Sequence, residues 1–209
     1  MNNYWKILFK AILAGGAISL GCIANICSQN KIVGSLFFVI GLFLVLSYKL
    51  ELFTGKACYV TQQSSNYIIA MIVSYVGNLI GALIMGILFA GIDKFVPLIA
   101  NFSEGLQARM TAPAVQIIIL GYLCNWCIYI AVNAYKRQGA HSWESFVGLL
   151  LGVSIFVLCG FEHSIADMVY VTMCGLWSWQ AIGFIGLVTI GNLLGGMSAS
   201  VVDSLLKKN

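Results

Sequence analysis

Two apolar stretches that break on charged residues, set among four that do not, constrain this chain more than anything else in it. The unbroken stretches cover residues 7–27, 67–92, 114–135 and 180–205. The interrupted ones cover residues 32–46 and 146–160, and each resumes as apolar sequence beyond its break, at 57–60 and at 168–174. A helix that crosses a bilayer needs about 20 apolar residues. Six spans therefore take roughly 120 residues at that length and leave little of the 209 for anything soluble. The composition agrees. Apolar residues make up 60% and charged residues 9%, against about 45–50% and about 25% in soluble chains. The expected fold is an all-α integral membrane protein, one transmembrane domain over residues 1–209. There is no room for an ATPase or a receptor domain, so any transport is passive or driven by an ion gradient.

Charge and cysteine usage narrow the reading further. A net charge of +4, with basic residues scattered between apolar spans, gives no basic face of the kind that grips nucleic acid. The seven cysteines lie in or beside apolar segments, where they serve as small buried hydrophobes. Cys124 and Cys127 form a C-x-x-C, but no second pair or nearby histidine completes a metal site. No metal or cofactor is expected. Residues 1–10 lack a cleavable-signal layout, because their apolar stretch runs straight into a full span. With six spans both termini share a side. Lys6, Lys10, Lys136, Arg137, Lys207 and Lys208 fall on it, against Lys31, Lys94 and Arg109 opposite. That excess of positive charge places both termini in the cytoplasm, in the inner (cytoplasmic) membrane.

The breaks carry the information about mechanism. The first reads Lys49-Leu50-Glu51-Leu52-Phe53-Thr54-Gly55-Lys56, and the second Cys159-Gly160-Phe161-Glu162-His163-Ser164-Ile165-Ala166-Asp167. Charges at bilayer depth cost a few kcal/mol each unless they face protein or water, and non-helical backbone there is tolerated only inside protein. The ordinary alternative is a short surface loop at each place. A repeat argues against it. Gly77-Asn78-Leu79-Ile80-Gly81 recurs as Gly191-Asn192-Leu193-Leu194-Gly195, 114 positions on, and Thr54 and Ser164 lie 110 apart. Each half, residues 1–92 and 112–206, then holds a plain span, a broken span and a Gly-Asn span. Three spans per half invert the second copy, and paired interruptions in an inverted repeat point to a substrate path near the midplane. Half-helices beginning after each break would aim their partly positive N-termini inward, which suits an anion.

Leu52-Phe53-Thr54-Gly55, Gly160-Phe161-Glu162-His163-Ser164-Ile165-Ala166 and the two Gly-Asn-Leu segments resemble the formate/nitrite transporter family, which also includes hydrosulfide channels and lactate carriers. The resemblance runs through all six spans. It implies an aquaporin-like protomer in a homopentamer, one pore per protomer, selectivity for small monovalent anions, and proton coupling in several members. Residue by residue, it implies that Leu52-Phe53-Thr54 forms one side of a central constriction. Leu42 and Phe156 match apolar constriction positions, His163 the central histidine, and Asn125 an asparagine near it. Arg109 falls where members have a vestibule lysine. Lys56 departs from the small or neutral residue expected after Thr54-Gly55.

The chemistry fits that implication. A free imidazole titrates at about 6.5, so His163 in an apolar pore could bind an anion when protonated, or pass it a proton. The plainer alternative is a histidine bonded to Thr54 or Asn125 to hold two loops together. Glu162 is expected to accept hydrogen bonds within its own loop. Glu162 and Asp167 around His163 could suggest an enzyme, but no nucleophile or metal accompanies them, and no enzymatic role is expected. The leading expectation is a channel or transporter for formate, nitrite or a similar anion, with hydrosulfide as the alternative. A neutral-solute pore is more distant, since no Asn-Pro-Ala pair exists and the only prolines are Pro97 and Pro113.

Overall fold

The computed structural model describes residues 4–28, 30–138 and 142–206. Lys207 and Lys208, counted among the charges above, lie outside the described residues. All regular structure among the described residues is helical. Helix α1 (Tyr4–Cys27) leads into α2 (Lys31–Ser47), a five-residue α3 (Phe53–Ala57), a 3-10 turn (Val60–Gln62) and α4 (Ser65–Ala90). Helix α5 (Val96–Met110) links this set to a second one: α6 (Ala114–Gln138), α7 (Trp143–Cys159), α8 (Ser164–Met173) and α9 (Trp179–Leu206). Among the described residues four helices, α1, α4, α6 and α9, are long and apolar enough to cross a membrane. The pair α7 and α8, bent by 53° at its break, qualifies as a fifth span taken together, while α2 is a shorter apolar helix of 17 residues.

The same order of elements occurs twice, and so does the packing. Helix α1 lies along α4 and α2, α6 lies along α9 and α7, and α2 meets α7 at the centre. The crossings of long helices depend on small residues. A methyl group built onto Gly81 would overlap the carbonyl oxygen of Ile12 on α1, and one built onto Gly195 would overlap that of Tyr122 on α6. Packing between helices in lipid rests on such close approach, because burying apolar surface gains little there.

Helices α2 and α7 end in the same way. Leu50 N–H reaches back to Val45 O at 2.8 Å, and Phe161 N–H to Phe156 O at 2.9 Å. In each case the intervening residue is left-handed, Lys49 at φ 51° and Gly160 at φ 69°. This is a Schellman-type C-cap, which favours glycine because a Cβ is strained at positive φ. The two stops are 111 positions apart, so the register of the broken segments is 111. Thr54 therefore corresponds to Ile165 and not to Ser164, a correction to the 110-residue pairing seen in the sequence. The linker helix α5 is a second departure. Its polar residues form a 15-residue helix outside the six apolar stretches.

Gly195→Val should destabilise the detergent-solubilised protein by the ~1–3 kcal/mol typical of overpacking or more, read as a lower thermal unfolding midpoint. Gly183→Ala, where an added methyl meets nothing within 4 Å, should leave it near wild type.

Candidate functional site

Backbone that leaves a helix inside a membrane protein needs partners within the protein. Two buried asparagines supply them. On α4, Asn78 accepts from Phe53 N–H at 2.9 Å and donates to Glu51 O at 2.9 Å and Ala11 O at 2.8 Å. On α9, Asn192 accepts from Ser164 N–H at 2.9 Å and donates to Glu162 O at 2.9 Å and Gly121 O at 2.8 Å. Each amide thus holds both sides of one break and ties it to a neighbouring long helix. The Gly-Asn motif, which marks the repeat in the sequence, positions the site. The signal for it was an amide inside an otherwise apolar span.

The two segments held this way touch at their tips. Thr54 Oγ1 lies 3.0 Å from His163 Nε2, and both residues are buried. Ala166 N–H donates to His163 Nδ1 at 3.2 Å, so the imidazole also caps α8. That bond fixes the roles: Nδ1 is an acceptor, the neutral ring carries its proton on Nε2, and Nε2–H donates to the Thr54 hydroxyl. The Thr54 O–H proton is then free to point elsewhere. Asn125 on α6 donates to Thr54 O at 3.2 Å and stands behind the threonine. Phe156 stacks on the imidazole, with ring centroids 5.7 Å apart and planes 19° apart, and meets Phe38 edge-on at 5.5 Å.

A cavity of about 780 Å³ reaches His163 from the end of the bundle that carries Lys31 and Arg109, with Phe38, Phe156 and Asp167 also on its wall. Arg109, from the end of α5, gathers the acids at this end. Its Nε donates to Glu162 Oε1 at 2.9 Å and its Nη2 to both Glu162 Oε2 and Asp167 Oδ1, the last at 2.7 Å. The guanidinium side chain is 32% exposed, while the two carboxylates are 2% and 1% exposed. The other break has a simpler pair, Lys56 to Glu51 at 2.8 Å. In the 111-residue register these positions correspond: Glu51 to Glu162, and Lys56 to Asp167.

Of the nine residues expected at the site, Arg109, Phe156 and His163 line the cavity. Leu42, Leu52, Phe53, Thr54, Asn125 and Glu162 are buried and do not line it. Phe53 packs edge-on against Tyr75 at 4.9 Å, with no stacking on His163. Asn125 reaches the histidine only through Thr54. Glu162 corrects the expectation of bonds within its own loop: its carboxylate is held by Arg109, 53 residues earlier, and only its main chain serves the break. The first amides of the half-helices have partners inside the protein. Phe53, Ser164 and Ala166 N–H groups are already taken by Asn78, Asn192 and His163. Asp167 joins the charge cluster.

Comparison with known proteins places this arrangement. The family model described as formate/nitrite transporter matches residues 1–202. The chain belongs to the formate/nitrite transporter family. Among its relatives, the nitrite transporter NirC of Escherichia coli K12 is 29% identical, over 93% of this chain and 81% of NirC. The formate channel FocA of the same strain is 28% identical, over 91% of this chain and 82% of FocA. A solved structure described as an FNT family ion channel superposes with a TM-score of 0.79 at 25% identity, covering 99% of this chain and 91% of that one. The fold also matches a pentameric formate channel with formate bound, at TM-score 0.76 and 24% identity, over 98% and 96% of the two chains. The family is one of transporters and channels, not enzymes, and the chain is a multi-pass membrane protein.

Asn78→Ala and Asn192→Ala should each strand the two non-helical backbone groups that the amide holds at its break, at ~1–3 kcal/mol per group, while the third partner, Ala11 O or Gly121 O, lies inside a helix. Each variant should unfold at a clearly lower temperature in detergent than wild type, and the double variant should not accumulate as folded protein.

Proposed function

We propose that this chain conducts small monovalent anions, formate and nitrite foremost, along a path that enters by the Arg109 cavity and passes between Thr54 and His163. The observation that carries the reading is the hydrogen bond between these two residues, where the tips of two broken helices meet at the end of a cavity. An anion arriving there finds the Thr54 hydroxyl as a donor and the imidazole beside it. The stacked Phe156 and the buried Leu42, Leu52 and Phe53 make the surroundings apolar, which a hydrated ion crosses poorly. Shedding water and meeting a proton-bearing ring is one way through, and it links flux to pH by way of His163. The names of the relatives support the choice of anions.

The same reading gives the protomer six spans in two inverted halves, aquaporin-like, with both termini in the cytoplasm. The matching C-caps, the paired asparagine clamps and the repeated order of helices support this architecture. It makes the assembly a homopentamer with a pore in each protomer. Exposed apolar side chains on the outer helix faces, among them Phe37, Ile72, Ile87 and Leu151, suit contact with lipid and neighbouring protomers. A mass measurement in mild detergent should give five protomers, and a stable monomer or tetramer would contradict that assembly.

His163→Phe keeps the bulk of the ring and removes both nitrogens. In liposomes it should abolish the pH dependence of formate and nitrite flux while leaving the oligomer's mass unchanged. Equal flux with an unchanged pH profile would reduce His163 to a tie between the two breaks.

A further inference from the structure

The Arg109 cluster does not balance. One guanidinium faces two carboxylates, Glu162 and Asp167, which are 2% and 1% exposed. Glu162 takes the better share, with both its oxygens bound to Arg109. Asp167 receives one bond, on Oδ1, and its Oδ2 is buried with no hydrogen-bond partner among the described residues. The elements around it bring no second cation to the cluster. Helix α1 offers Cys22 and Asn25, α6 offers Cys124, α8 offers Tyr170, and the break itself offers His163, whose Nε2–H is committed to Thr54. Helix α4 has no charged residue, and the one acid on α9, Asp203, pairs with Arg137. Lys56 of α3 pairs with Glu51, and Lys31 stands exposed at the cavity mouth.

Two carboxylates that share one cation away from water do not both stay ionised, because their mutual repulsion adds to the cost of burying charge. The oxygen without a partner is where a proton fits. We propose that Asp167 is a proton-binding residue on the wall of this cavity, holding a proton on Oδ2 and so setting the charge an arriving anion meets. The proton comes from water in the cavity and returns to it. With the proton bound, the cluster sums to zero. Without it, the cluster is −1 and repels anions from the route to His163. This role rests on the anion-conducting reading above, but the proton itself can be detected without any transport.

Infrared spectroscopy of the pentamer or of whatever oligomer purifies, at neutral pH, should contain the carbonyl band of a protonated carboxylic acid. Labelling aspartate with carbon-13 at its side-chain carboxyl should shift that band. Asp93 is exposed and Asp203 is paired with Arg137, so the labelled wild-type protein alone points to Asp167, and Asp167→Asn should lose the band. No such band, or a band that ignores the aspartate label, overturns the proposal. In liposomes, formate flux through Asp167→Asn should match wild type at acid pH and exceed it several-fold at alkaline pH, where the wild-type cluster becomes negative. A ratio that stays constant across pH overturns the charge-setting role. A wild-type protein that carries no anion at all sinks the anion-conducting reading instead, and the infrared band then still decides the proton site.

Discussion

Everything at the centre of this protein depends on the backbone of two broken helices being satisfied without water. Asn78 and Asn192 meet that requirement with the smallest group able to do it, an amide with one acceptor and two donors. Each connects a residue before the half-helix, a residue at its start, and a carbonyl on a neighbouring helix. Without these amides neither break could stay in an apolar bundle, since an unpaired buried peptide group costs more than most side-chain contacts return. With them, Thr54 and His163 are delivered to one another as a by-product of satisfying the chain.

The two halves share this frame and differ in what they hang on it. The first break follows the left-handed Lys49 and balances Glu51 with Lys56. The second follows the left-handed Gly160 and holds two acids, Glu162 and Asp167, against a cation borrowed from α5. Of the two equivalent pairs of positions, Glu51 and Glu162 carry the same charge, while Lys56 and Asp167 carry opposite ones. Symmetry of the chain trace does not extend to its electrostatics. A buried pair such as Arg109 and Glu162 is poor evidence of stability, because desolvation offsets most of the attraction. Its value here is placement: it pins the end of α5 over the cavity.

Much of the architecture was legible because apolarity is a local property. The four long helices and both interrupted ones could be located from hydropathy alone, within a few residues of their observed ends. The breaks were legible because charge and glycine are rare in such segments. What escaped the sequence was relational. Helix α5 is too polar to stand out as a span. The partner of Glu162 lies 53 residues upstream, beyond any spacing rule. The 110-residue pairing of Thr54 with Ser164 was a coincidence of hydroxyls, while the true register is set by backbone geometry at Lys49 and Gly160. The sequence left His163 beside Thr54 or Asn125, and the structure puts the contact at Thr54.

The imidazole of His163 has a single lone pair on Nδ1, and the start of α8 already occupies it through Ala166 N–H. A proton added at that nitrogen would evict the amide. Acidity and helical order at this one turn are therefore rival claimants to the same pair of electrons. Titrating the ring would loosen the first turn of α8, and an imidazolium and a released peptide N–H would then face the same small space as two donors with no acceptor between them.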